Sequence, residues 1–201
     1  MELFRAIKTR RSIREFSGKK VPKRLLAKIA EAGTYAPSSK NSQPWHFVVD
    51  TTKKKDMAAA MLEKKATERF TVMDPRTGNP ARPATAKDSA RIIRDAAAVI
   101  FVFSKSPFTG GRDEVLKSLK MEYLLSYSSE VESIAAAAQN MLLAAHALGL
   151  GAVWNCDTYF ICDYIKKLYG QEYDFQLALC IGYPKSLPKH RIERKKNYEF
   201  A

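Results

Sequence analysis

Apolar positions along this chain switch between a helical period and a strand period. Leu3, Phe4 and Ile7 stand at helical spacing, so residues 2–9 predict a short amphipathic helix. Pro22 suits a first helical position, and Leu25, Leu26, Ile29, Ala30 and Gly33 continue a second helix that ends just before Ala36. Trp45 to Asp50 reads as a strand, followed by a basic helix from Thr51 to about Phe70 with Met57, Met61 and Leu62 on its apolar side. The run Ala96 to Phe103 is apolar throughout and rich in β-branched and aromatic residues, the pattern of a strand buried on both faces. After a loop from Ser104 to Arg112 comes a helical segment near Glu114 to Leu125, where Tyr123 and Tyr127 read as packing residues.

Ser129-Glu130-Val131-Glu132 matches a capping box, which predicts a fresh start for the strongest helix of the chain, running to Leu148 and stopping at Gly149. Ile134, Ala135 to Ala138, Met141 to Ala145 and Leu148 make it apolar nearly all round, so it has to be enclosed on all sides. Ala152 to Asn155, Ile161 to Leu168 and Phe175 to Ile181 then read as strand, helix and buried strand. Four strands alternating with helices, without an internal repeat, give an α/β (α+β) class. A length of 201 residues fits one domain, 1–201. No G-x-G-x-x-G joins a strand to a helix, so a dinucleotide fold of that kind is not indicated.

Two interruptions stand out. Pro75, Gly78, Pro80 and Pro83 break 71–85 into an exposed loop, a candidate lid. The second runs from Ala36 to Gln43, A-P-S-S-K-N-S-Q, and turns without a spacer into Pro44, Trp45 and a strand. Ser38, Ser39, Asn41 and Gln43 could satisfy one another through local turns, or present amides and hydroxyls to a flat hydrogen-bonding ligand. Trp45 behind the loop would fix it in place.

Composition narrows the classes. With 46% hydrophobic and 27% charged residues the chain is an ordinary globular one, and it lacks an apolar run long enough for a membrane helix. The N-terminus has no apolar signal core, so the expected place is the cytoplasm. Cys156, Cys162 and Cys180 show no C-x-x-C spacing, and His46, His146 and His190 are scattered, so neither a disulfide framework nor a metal site is expected. A net charge of +13 points to anionic partners, yet its cations are spread along the chain without a recognition helix or stacking aromatics. Phosphorylated cofactors are the economical explanation, and neither nucleic acid nor membrane is expected as a partner.

Arg10, Arg11, Ser12 and Arg14 form either a solvated basic face at a helix end or the donor set that a phosphate monoester or a flavin pyrimidine ring would require. With A-P-S-S-x-N-x-Q-P-W-x-F at 36–47, R-R-S-x-R at 10–14, G-L-G at 149–151 and I-G-Y-P at 181–184, the chain resembles the nitroreductase family of flavin-dependent oxidoreductases. The resemblance implies a mixed β-sheet flanked by helices and an intertwined homodimer with FMN bound at the interface. It implies that one subunit supplies Arg10, Arg11, Ser12, Arg14 and the tail cations Lys189 and Arg191, with Arg194 as an alternative, while the other supplies Pro37, Ser38, Ser39 and Asn41. It further implies NADH or NADPH as co-substrate and a small-molecule electron acceptor such as a nitroaromatic or quinone, with no catalytic side chain because flavin N5 carries the chemistry. Trp154, Asn155 and Cys156 would flank the ring where relatives commonly carry a glycine pair or Glu-Gly; Cys156 there is either redox-active or an inert small residue. That departure leaves two alternatives open: another flavin enzyme of the family, of dehalogenase or oxidase type, and a non-enzymatic basic nucleic-acid or anion binder.

Overall fold

The computed structural model describes residues 2–67, 84–105, 122–187 and 197–199. Helix α1 (Leu3–Thr9) starts because the Glu2 carboxylate accepts from the backbone N–H groups of Phe4 and Arg5, at 2.9 and 3.0 Å, two of the donors a helix start leaves unpaired. Helix α2 (Lys23–Thr34) follows Pro22, and β1 (Trp45–Asp50) has the expected bounds. Helix α3 (Lys54–Thr67) lies inside its expected range. Helix α4 (Ala84–Asp95) leads to strand β2 (Ala98–Ser104). The long helix α5 (Glu122–Ala147), strand β3 (Gly151–Asn155), helix α6 (Cys162–Tyr169) and strand β4 (Asp174–Gly182) complete the frame. Short 3-10 turns stand at Ser39–Asn41 and Asp157–Ile161.

The sheet has the order β1-β2-β4-β3 and every strand pairing is antiparallel, which corrects the expected mixed sheet. The paired helices α3 and α4 return the chain to the end of β1 where it left, so β2 runs back along β1. Strands β2 and β3 do run the same way, but β4 inserts between them. Among the described residues the parallel component is confined to a bridge between Ser12 and Ala152.

All seven residues of β2 are buried, as its unbroken apolar run requires. Its alternation divides the core in two. Val99, Phe101 and Phe103 face α3, α4 and α6, while Ala98, Ile100 and Val102 face α2 and α5.

Helix α5 differs from expectation in where it starts. It is continuous through the capping-box sequence, because the preceding residues extend the helix and the Ser133 hydroxyl donates back to the Ser129 carbonyl at 2.6 Å. It is also not enclosed within one chain: Val131, Gln139 and Ala147 are exposed and Ala135 and Leu143 half-buried, a stripe at i, i+4 spacing. Leu3, Phe4 and Ile7 of α1 are exposed as well.

Glycines admit the segment that follows α1. A Cβ on Gly151 would stand 2.7 Å from Ile13, and one on Gly182 2.7 Å from Phe16. Segment 12–17 therefore lies against the sheet, with Ile13 N–H donating to Ala152 O at 3.1 Å and Ser17 N–H to Tyr183 O at 2.9 Å. Gly149, at φ +78°, ends α5 as expected.

Two outcomes follow for stability. Gly151→Ala forces Ile13 outward and costs about 1–3 kcal/mol in urea unfolding, the usual range for overpacking. Glu130 is 8% exposed, and its carboxyl pKa is raised by burial and by Asp174 against a hydrogen bond to Ser104. A carboxyl raised in the folded state stabilises the protein below its unfolded pKa, and that contribution fades as pH climbs through the folded value. Glu130→Gln therefore melts higher than wild type at pH 8, and the difference disappears at pH 4.

Candidate functional site

A cavity of about 360 Å³ opens where β3 ends, between that strand, helix α4 and the arginine segment. Its wall includes Arg14, Trp154, Asn155 and Cys156, so four of the expected site residues converge there, two of the expected sets meeting. Helix α4 adds Thr85, Asp88, Ser89 and Arg91, and Asp157 closes the far side. No element is expected over 86–95, so Asp88, Ser89 and Arg91 are missed, and Thr85, expected at the end of the 71–85 loop, stands instead in the first turn of α4. The signal was available: Ala86, Ala90 and Ile93 recur on one buried face, which leaves Ser89 and Arg91 on others.

The polar groups of this wall are ordered by one another. Asn155 Nδ2 donates to Ser89 O at 3.1 Å, and Ser89 Oγ donates to Asp157 Oδ2 at 2.7 Å. Thr158 Oγ1 donates to the Asn155 carbonyl at 2.7 Å. Asn155 is 4% exposed, and its Oδ1 has no partner among the described residues. An unpaired buried acceptor costs about 1–3 kcal/mol. Arg91 Nη1 donates to Arg14 O at 3.5 Å and to Asp95 Oδ2 at 3.4 Å, which ties α4 to the arginine segment. Cys156 is exposed at the rim, and burial followed by the nearby Asp157 charge raises its pKa. Its thiol stays protonated at neutral pH, which argues for the inert role over the redox-active one.

Arg10, Arg11 and Ser12 precede Arg14 on the same segment, fixed by the Ser12–Ala152 bridge. The loop Pro37, Ser38, Ser39 and Asn41 lies elsewhere. It leads into β1, the opposite sheet edge from β3, so two strands separate the edges, about 14 Å at ordinary strand spacing. Ser39 N–H donates to Ser133 Oγ at 3.3 Å and Lys105 N–H to Pro44 O at 2.6 Å, while Ala36 and Trp45 pack on Ala137. Trp45 thus anchors the loop as expected. Inside the loop Gln43 N–H donates to Ser38 Oγ at 3.0 Å and Gln43 Nε2 to Asn41 Oδ1 at 3.2 Å. Self-satisfaction is therefore partial, and it comes with strain: Lys40, Asn41 and Gln43 sit at φ 52°, 54° and 45°. Lys189, Arg191 and Arg194, most of the 71–85 loop, most of the Ser104 to Arg112 loop and the side chains of Tyr123 and Tyr127 lie outside the described residues.

A model of the "Nitroreductase family" matches residues 7–183. The chain belongs to the nitroreductase family. A protein of Methanothermobacter thermautotrophicus with the provisional name NADH dehydrogenase/NAD(P)H nitroreductase is 33% identical over 154 residues, 77% of this chain and 60% of its own length. A protein of the same provisional name from Archaeoglobus fulgidus is 31% identical over 76% of this chain and 66% of its own length. The chain thus spans about two thirds or less of these relatives. Among solved structures it is similar to a BluB-like flavoprotein from Clostridium difficile 630 (TM-score 0.74, 25% identity, 97% of this chain and 95% of that one). It is also similar to a provisionally named nitroreductase in complex with FMN from Desulfovibrio desulfuricans (TM-score 0.68, 25% identity, 98% and 93%).

A glycine at the strained position relieves the left-handed backbone, so Lys40→Gly raises stability by about 0.5–1 kcal/mol after allowing for glycine's own entropy. Urea midpoints of the two proteins check this.

Proposed function

We propose that the chain is an FMN-dependent oxidoreductase that passes reducing equivalents from NADH or NADPH to a small acceptor such as a nitroaromatic or quinone, as a homodimer. The observation that carries this reading is the convergence of Arg14 with Trp154, Asn155 and Cys156 on one cavity in a nitroreductase-family chain.

The donor set suits FMN. A flavin presents an imide edge, carbonyl, N–H, carbonyl, and the cavity lining holds both guanidinium donors (Arg14, Arg91) and carboxylate acceptors (Asp88, Asp157). Arg10, Arg11 and Ser12 offer further donors for a phosphate and ribityl chain, and Lys189 and Arg191 of the tail are assigned to the phosphate on the strength of the motif. FMN, when bound, would supply the redox-active ring between NAD(P)H and the acceptor, so donor and acceptor would take turns at one site. Arg14 would place positive charge beside that ring and favour its electron-rich form, while the Arg91 charge is paired with Asp88 and Asp95. Asn155, fixed through Ser89, holds the wall in one arrangement. Cys156 remains a neutral small residue at the rim.

The partner subunit accounts for the rest. Within one chain the loop Pro37, Ser38, Ser39 and Asn41 is on the far edge of the sheet from the cavity, yet it is held in a strained, presented form of the kind found at ligand clamps. The open stripe of α5 and the exposed Leu3, Phe4 and Ile7 give a second copy an apolar surface to cover. A two-fold pairing on that surface supplies the loop of one copy to the cavity of the other.

The test is an absorbance spectrum of the purified protein, repeated anaerobically with NADH and with NADPH. Flavin bands that bleach are expected, and the nucleotide that bleaches them is the donor. A colourless protein that takes up no added FMN sinks the reading, and yellow protein that neither nucleotide bleaches sinks the NAD(P)H part alone. Arg14→Ala weakens FMN retention by roughly tenfold, the worth of one charged hydrogen bond. Unchanged occupancy in that variant counts against the assigned site.

A further inference from the structure

The chain turns at Cys156. Strand β3 ends one residue earlier, where Asn155 makes its last pairing with Ala178 of β4, and the 3-10 turn Asp157–Ile161 starts one residue later. The residues on either side of Cys156 are both bound to Ser89 of α4. Asn155 Nδ2 donates to the Ser89 carbonyl at 3.1 Å, and the Ser89 hydroxyl donates to Asp157 Oδ2 at 2.7 Å. That hydroxyl has a more local option. A serine inside a helix can return its proton to the carbonyl four residues back, as Ser133 does to Ser129 in α5. Ser89 gives its one proton to Asp157 instead. Helix α4 is a firm base for the bond, because Ala86, Ala90 and Ile93 are fully buried. Two residues on, Arg91 Nη1 donates to Arg14 O at 3.5 Å, so the same helix reaches both sides of the cavity.

We propose that Ser89 is a positioning residue for the cavity: its bond to Asp157 holds the turn at Cys156 in the form that FMN binding requires. This rests on the flavin reading above. Asn155, Cys156 and Asp157 all line the cavity, so any swing of the turn reshapes that wall. Its flanks are anchored, with Asn155 and Thr158 buried and Thr158 Oγ1 donating to the Asn155 carbonyl at 2.7 Å. Between them Cys156 is exposed and Asp157 half-buried. The Tyr159 N–H donates to the Cys156 carbonyl at 3.0 Å, which closes the turn on itself without tying it to α4. The Asp157 carboxylate supplies that tie. A bond present both before and after a ligand arrives changes affinity through population alone: where it is missing, the free protein holds the competent turn for a smaller fraction of the time, and the apparent dissociation constant rises in inverse proportion.

The experiment titrates FMN into wild type, Ser89→Ala, Ser89→Thr, Asp157→Ala and the double variant carrying both alanines, following quenching of flavin fluorescence near neutral pH. Urea midpoints of the same flavin-free proteins are measured alongside. Alanine is the better helix former, so Ser89→Ala keeps α4. That variant binds FMN roughly three- to tenfold more weakly, the reach of one charge-assisted hydrogen bond acting through population. Ser89→Thr keeps the hydroxyl and binds within about twofold of wild type. In the Asp157→Ala background the Ser89→Ala change costs nothing further, within about twofold, because the bond is already gone. A merely structural bond lowers the urea midpoint and leaves the dissociation constant of the folded protein unchanged, and flavin uptake with that result overturns this inference alone. Ser89→Thr binding as weakly as Ser89→Ala overturns it by making side-chain volume the cause. A full further loss in the Asp157→Ala background overturns it by making Ser89 a direct ligand contact. Wild-type protein that takes up no FMN overturns the flavin reading and this inference with it.

Discussion

The close approach of segment 12–17 to the sheet is the constraint on which the site depends. Ile13 and Phe16 reach the ends of β3 and β4 only because Gly151 and Gly182 leave room, and any side chain there would collide with them. From that contact the rest follows in order. Arg14 is brought to the end of β3, its carbonyl receives Arg91 from α4, and α4 presents Ser89 to Asn155. Gly151 of G-L-G and Gly182 of I-G-Y-P are therefore packing devices, which bring the arginine segment onto the sheet. The outer edge of β3 is covered by the same segment, which also protects it from pairing with a stray strand.

Much of the frame was legible because burial on both faces writes an unmistakable pattern. An unbroken apolar run such as Ala96 to Phe103 can be satisfied only by a layer on each side, and the chain supplies α3, α4 and α6 on one face and α2 and α5 on the other. Register with other strands is a different matter. Nothing in the residues of β4 announces that it inserts between β2 and β3, so the sense of pairing was inferred from the family and came out antiparallel. The false start at Ser129 has a local cause. A capping box satisfies orphan N–H groups only where the helix begins, and here the same serine sits inside a helix whose carbonyl accepts from Ser133 instead.

At the site, motif and periodicity read different things. Loop 36–44 and Arg10–Arg14 were found as short strings of unusual composition, and the structure keeps both well defined. Helix α4 has no such string. Its Asp88, Ser89 and Arg91 are ordinary surface residues by composition and line the cavity because Ala86, Ala90 and Ile93 turn another face into the core. A reading that stopped at motifs had no means of placing them, whereas an amphipathic count over 84–95 would have drawn the helix and exposed its second face. Cys156 shows what the string alone leaves open: the resemblance allows a redox-active or an inert residue there, and burial with the Asp157 charge raises its pKa, which favours the inert one.

The energetic costs of the described structure are not spread evenly, and their distribution bears on function. Lys40, Asn41 and Gln43 hold left-handed backbone without being glycine, at about 1–2 kcal/mol each, and the Asn155 oxygen forgoes a partner in the interior. Elsewhere comparable demands are met: Asp50 pairs with Tyr169 and with the Thr52 N–H, and the buried Lys55 ammonium caps the Ile93 and Arg94 carbonyls at the end of α4. Strain and unpaired polarity thus gather at two places, the loop before β1 and the wall at the end of β3, on opposite edges of one sheet. Folding of a single chain gains nothing from either. On the function proposed above, a ligand gripped from both sides, by a cavity of one copy and a loop of another, would give both costs a common return, and the uncovered stripe of α5 is where the second copy would seat itself.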